Sequence, residues 1–141
     1  MRFAHVSPRT VRFWAWIDTS VIVLALPITA KAFLALIYGL NGLLGFDAEV
    51  PAFGAIQMFF VNLAGMLVAV WAIARLVHPI GLLAFIDAIG RSAVAMLIAW
   101  YALVENAPQA LWLFVFTEGA GAVAQLRACL REPAPTGATL H

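Results

Sequence analysis

Hydrophobic residues along this chain fall into four long runs separated by short polar breaks, over residues 14–36, 52–74, 80–104 and 109–126. Each run is close to the ~20 residues that an α-helix needs to cross ~30 Å of hydrocarbon. The period-two alternation of a membrane β-barrel is absent. The expected fold is all-α: an integral membrane four-helix bundle within residues 1–130. A tail, residues 131–141, has too few apolar anchors to pack and is expected to be flexible.

The breaks refine this picture. Pro27 interrupts the first run and predicts a kink near mid-span. A more broken reading confines that span to residues 19–38 and lays residues 37–44 along the membrane surface. The pattern alone leaves both open. The linker that follows carries Asp47 and Glu49 and ends at Pro51. His78-Pro79-Ile80-Gly81 is a turn signal, with Pro79 suited to start the next helix, and Glu105-Asn106-Ala107-Pro108 is a second tight turn. Trp14, Trp16, Trp71, Trp100 and Trp112 sit mostly near span ends, where indole rings favour the interface, and are read as an aromatic belt.

Composition agrees. Hydrophobic residues make up 65% of the 141 residues and charged residues 11%, against about 45–50% and 25% in soluble domains. A formal charge of +1 offers no basic field to nucleic acid, which is excluded as a partner. Arg2, Arg9 and Arg12, then Arg75, then Arg127 and Arg131 alternate with an acidic first linker and with Glu105. Cationic flanks mark the cytoplasmic side, so both ends are expected there. The first run contains Asp18 and is too long for a signal h-region, so it reads as a retained span.

Ionisable groups inside spans cost about 2.5–3.5 kcal/mol each on insertion scales, so each one needs a reason. Counting about 1.5 Å per residue from the cytoplasmic end places Arg91 roughly 16 Å deep, Glu118 roughly 12 Å and Asp87 roughly 10 Å. Asp87 and Arg91 share a face at i, i+4. The guanidinium fork of Arg91 can serve both carboxylates, so these three are the candidate intramembrane cluster, with Asn62 at its upper edge. Asp18 and Arg75 are placed close to the cytoplasmic surface, to pair there or remain hydrated, and Lys31 near the far interface, where its stem can snorkel. Gly65 and Ala69, and Gly119-Ala120-Gly121-Ala122, are small residues that let helices approach closely.

Several chemistries are argued against. Cys129 is a lone cysteine, so paired-thiol redox chemistry has no basis. His5, His78 and His141 fall in an arm, a turn and the tail rather than at facing positions in spans, so bis-histidine haem is not expected. No Glu-x-x-His pairs, GxSxG, HExxH, P-loop or GxGxxG occur. No metal and no cofactor is expected.

With four spans, a lysine in the first hydrophobic region (Ile28-Thr29-Ala30-Lys31-Ala32-Phe33) and scattered intramembrane charges, the chain resembles the DoxX-like group of small bacterial four-helix membrane proteins. The resemblance covers the spans and implies a bundle in the inner membrane. Some members are linked to quinone-associated redox or thiosulfate metabolism. No functional residue is carried over. Small multidrug transporters also have four spans but keep their essential carboxylate in the first helix, whereas the deepest acid here is Glu118.

The leading expectation is a non-enzymatic accessory or scaffold subunit. The alternative is a small proton-linked transporter or channel with Glu118 and Arg91 lining a pathway. A lipid- or quinone-binding enzyme component is a third reading that rests only on the mixed interior. The expected partners are the lipid bilayer and a second copy or another membrane protein.

Overall fold

A computed structural model of the chain describes residues 3–47 and 50–131. Arg2, Glu49 and His141 lie outside the described residues, as does the tail from residue 132 with the flexibility expected of it. Among the described residues the structure is all-helical: α1 (Pro8–Asp18), a 3₁₀ segment (Thr19–Ala25), α2 (Pro27–Leu43), α3 (Ala55–Val77), α4 (Gly81–Val104), a 3₁₀ turn (Gln109–Leu111) and α5 (Trp112–Leu130). α3, α4 and the stretch Gln109–Leu130 are each long and apolar enough to cross a membrane. They correspond to the second, third and fourth hydrophobic runs.

The first run departs from expectation. Instead of one kinked helix over residues 14–36, Pro8–Ala25 and Pro27–Leu43 meet at 108°. Local chemistry explains the break. Thr19 and Ser20 donate their hydroxyls back to the carbonyls of Trp16 and Ile17, at 2.6 and 2.8 Å, in competition with the α-helical ladder. The β-branched Val21-Ile22-Val23 follows. Leu26 is extended (φ −113°, ψ 139°), because a residue before proline avoids the α region. Pro27 then opens α2, and the Thr29 hydroxyl donates to the carbonyls of Val23 (2.5 Å) and Leu26 (3.2 Å). Residues 37–43 continue α2 rather than forming a separate interfacial helix.

α4 and α5 pack along their lengths, while α1 and the 3₁₀ segment lie against α3. α1 also touches α4 and α5, so it joins the two halves. The backbones of α3 and α4 stay apart, although a short turn connects them, and long side chains bridge the gap. Contact between the 3₁₀ segment and α3 depends on Gly65: a Cβ there would run into the backbone of Leu24 and Ala25. At one end Val6, Val11, Ala84 and Cys129 form a small buried core, and the ring of Phe3 stacks on Phe85 at 4.7 Å. At the other, buried Asn41 accepts from the Ala110 N–H (3.1 Å) and donates to the Phe46 carbonyl (3.0 Å), tying α2 to the start of α5. Large apolar residues such as Phe60, Leu67, Val70, Met96 and Leu97 point outward. That suits helices whose solvent is lipid.

Candidate functional site

Three helices present stripes of small residues interrupted by polar ones. On α1 the buried positions are Val11, Ala15 and Asp18. On α4 they include Ala84, Asp87, Ala88 and Arg91. On α5 they are Gly121, Ala122, Gln125 and Cys129, with half-buried Glu118 one turn earlier on the same stripe. Spacings of three and four keep each set on one helix face. Alanine and glycine bring the backbones close enough for the polar members to meet.

They meet around Arg91. Its Nε donates to Asp87 Oδ2 at 2.9 Å, and its Nη1 donates to Glu118 Oε2 at 2.9 Å. Nη2 donates to Asp18 Oδ1 and, at 3.3 Å, to the carbonyl of Trp14. The Trp14 ring covers the guanidinium, with its centroid 5.2 Å from Cζ. Gly121 makes room for this side chain, since a Cβ there would lie 3.0 Å from Arg91 Cδ and Nη1.

Arg75 forms a second hub. It donates to Asp18 Oδ2, and its Nη1 lies 2.6 Å from Asp87 Oδ2 as an ion contact outside hydrogen-bond geometry. Its guanidinium stands 5.3 Å from the centroid of the Trp71 ring. Asp87 also accepts from Trp71 Nε1 at 2.7 Å and from Gln125 Nε2 at 2.6 Å. Arg75 and Gln125 are fully buried. Arg75 Nε and Gln125 Oε1 find no hydrogen-bond partner among the described residues.

The structure brings together Asp87, Arg91 and Glu118, the cluster read from depth. Asn62 is not part of it; its Nδ2 donates instead to the Leu24 carbonyl at 2.7 Å. The reason is local: the 3₁₀ segment crosses α3 at Gly65, and Asn62 meets a carbonyl of that segment one turn away. Asp18 and Arg75 are buried and paired with each other, and both belong to the network. α1 begins at Pro8, not Trp14, so Asp18 lies ten residues, about 15 Å, along its helix and level with Arg91. Arg75 ends a helix, but its Cα–Cβ bond tilts toward the helix N-terminus, away from that end, and its long side chain reaches the carboxylates. Lys31 is exposed and apart, beside a shallow depression lined by Tyr38, Phe53 and Met58.

Gln125, Trp71 and Trp14 are the members that sequence reasoning missed. Trp71, expected in the aromatic belt, lies one turn before Arg75 on α3 and spends its N–H on Asp87. Gln125 falls seven residues after Glu118, which puts it on the same face; that spacing was the available signal.

The network holds three carboxylates against two guanidiniums. Asp18 and Asp87 each use both oxygens, whereas Glu118 uses only Oε2. Glu118 is also the most open of the three, its side chain 20% exposed against 11% and 5% for Asp18 and Asp87. A cleft of about 310 Å³ opens beside it, with Asp18, Trp71, Asp87, Arg91 and Glu118 among the residues that line it. The remaining lining is apolar, from Val21, Val68, Ile86, Gly90 and Val94.

Among the described residues no three His, Cys, Asp or Glu side chains are disposed to hold a metal ion. The ring of His5 is bonded to the Cys129 carbonyl at 3.1 Å, away from the network. No protein family, curated protein or solved structure matches the chain.

Proposed function

We propose that this chain is a small, non-enzymatic integral protein of the bacterial inner membrane that works as an accessory or scaffold subunit. In this reading the bent pair Pro8–Leu43 supplies the fourth pass and both ends face the cytoplasm. Length supports the pass: eleven α-helical and seven 3₁₀ residues at about 1.5 and 2.0 Å each reach roughly 30 Å before the bend. Charge supports the orientation, since Arg9, Arg12, Arg127 and Arg131 gather at the end where the N-terminal arm meets the C-terminus of α5. The DoxX-like resemblance agrees with the same architecture.

The observation that carries the reading is that Arg91 joins carboxylates from α1, α4 and α5 at once. All three of its nitrogens donate inside the protein, and Arg75 adds an ion pair to Asp18 and an ion contact to Asp87. A buried ion network is a poor source of net stability but a good means of fixing one arrangement of helices. That suits a rigid platform whose outward apolar faces meet lipid, a second copy or another membrane protein.

A second reading follows from the cleft. Surplus negative charge at Glu118, beside open space within the helical region, is the arrangement a proton-linked transporter or channel uses. Proton and solute flux in liposomes, native chain against Glu118→Gln, separates the two. The scaffold reading expects no Glu118-dependent flux and loss of a co-purifying partner when the network is broken. Flux that disappears with Glu118→Gln defeats it and establishes the second.

A further inference from the structure

The cleft beside Glu118 has the shape and charge of a ligand site, and we infer that it binds a monovalent organic cation with an apolar body. The ligand is a protonated amine whose ammonium contacts Glu118 and whose carbon skeleton lies between α3 and α4. The inference rests on the cleft used in the second reading above, but not on transport.

Charge selects the sign. Two guanidiniums neutralise two carboxylates, and the remaining negative charge falls on Glu118, the acid with the fewest bonds and the greatest exposure. Surplus negative charge in a site of low dielectric is costly, so a cation there is favoured and an anion meets repulsion. Arg91 is no obstacle. Its donors are directed at Asp18, Asp87, Glu118 and the Trp14 carbonyl, and the Trp14 ring covers its guanidinium. The free valence of Glu118 is its second oxygen, which accepts no hydrogen bond among the described residues.

Size and lining select the body. At about 30 Å³ per water, 310 Å³ is roughly ten waters, far more than a proton or a bare ion occupies and within the small-molecule range. The apolar lining comes from Val21 of the 3₁₀ segment and Val68 of α3, and from Ile86 and Val94 of α4. Ile86 and Val94 are 46% and 44% exposed, so the mouth opens on the apolar outer face. α3 and α4 are not packed together there. Gly90 keeps the space open, since a Cβ at that position meets no atom within 4 Å. An amphiphilic amine can thus enter from the bilayer, head toward the acid.

Titration of the protein in phosphatidylcholine nanodiscs with n-octylamine, n-octanol and octanoate tests this, with tryptophan fluorescence as the readout and empty nanodiscs subtracted. Saturable binding of the amine alone is expected, weakened tenfold or more by Glu118→Gln. Gly90→Leu fills the cleft while keeping every charged group of the network and is expected to weaken binding as much, which keeps the test decisive if Glu118→Gln fails to fold. Equal binding of octanol, no saturable amine binding, or amine binding unchanged in Gly90→Leu would overturn the inference. Glu118-dependent proton flux without amine binding keeps the transport reading and sinks this one; amine binding without flux does the reverse.

Discussion

Arg91 of α4 and Asp18 of α1 stand 73 positions apart in sequence and meet as a buried ion pair inside the bundle. The pairing makes the N-terminal helix part of the core rather than an appendage. Each residue also binds others: Asp18 accepts from Arg75, while Arg91 holds Asp87 and Glu118. Removing Arg91 therefore takes a partner from carboxylates on α1, α4 and α5 at once.

Arg91→Leu is expected to lower unfolding stability in detergent by about 3–5 kcal/mol, the usual cost of leaving buried charges unpaired. Arg91→Lys should recover only a minor part of this, because one ammonium cannot direct donors at three carboxylates with the geometry of a guanidinium fork. Denaturant or thermal unfolding of the purified variants provides the comparison. A stability near the native value in Arg91→Leu would mean that the network is dispensable.

Two neighbouring glycines should behave differently. Gly121 faces Arg91, so Gly121→Val must push the guanidinium or α5 aside, at a cost of about 1–3 kcal/mol. Gly119 has nothing within 4 Å of an added Cβ, and Gly119→Ala should be neutral or slightly stabilising, since alanine favours helix over glycine by up to ~1 kcal/mol. Melting temperatures of the two variants decide the matter; equal losses would contradict the placement of α5.

Asn62 serves a different joint. Asn62→Leu removes its hydrogen bond to the Leu24 carbonyl and should cost roughly 0.6–2 kcal/mol, typical of polar contacts in membrane bundles. Because Asn62 shares no partner with Arg91, the double variant with Arg91→Leu should lose the sum of the two single effects. Strong non-additivity in unfolding measurements would place Asn62 back in the ionic cluster.

How much of this was legible in the sequence depended on which signal each residue carried. The runs containing α3, α4 and α5 are predominantly apolar and bounded by prolines or tight turns, so their number and approximate limits follow from hydropathy. Asp87, Arg91 and Glu118 were legible because antiparallel helices joined by a short turn share a depth scale. The first run was misread because hydropathy does not register a 3₁₀ segment. The hydroxyls of Thr19 and Ser20 and the backbone restriction that Pro27 places on Leu26 act locally, without changing the apolar character of the run. The pairing of Asp18 with Arg75 is legible from their shared position near one end of the spans, whereas its contact with Arg91 is not, because α1 starts at Pro8 and not at Trp14. Gln125 went unnoticed because a neutral amide carries no obvious charge penalty, although it shares the stripe of Glu118.

The most direct test of the central claim, that the ionic network holds α1 within the bundle, is the rate of cysteine modification at a buried α1 position. In a chain carrying Cys129→Ser, Val11→Cys replaces a fully buried residue of α1, and Ala102→Cys, at the far end of α4, reports on global unfolding. With Arg91 intact both should react slowly with a membrane-permeant maleimide. Adding Arg91→Leu is predicted to accelerate modification at position 11 by tenfold or more while position 102 stays slow. Equal, slow modification at position 11 with and without Arg91 would contradict the account.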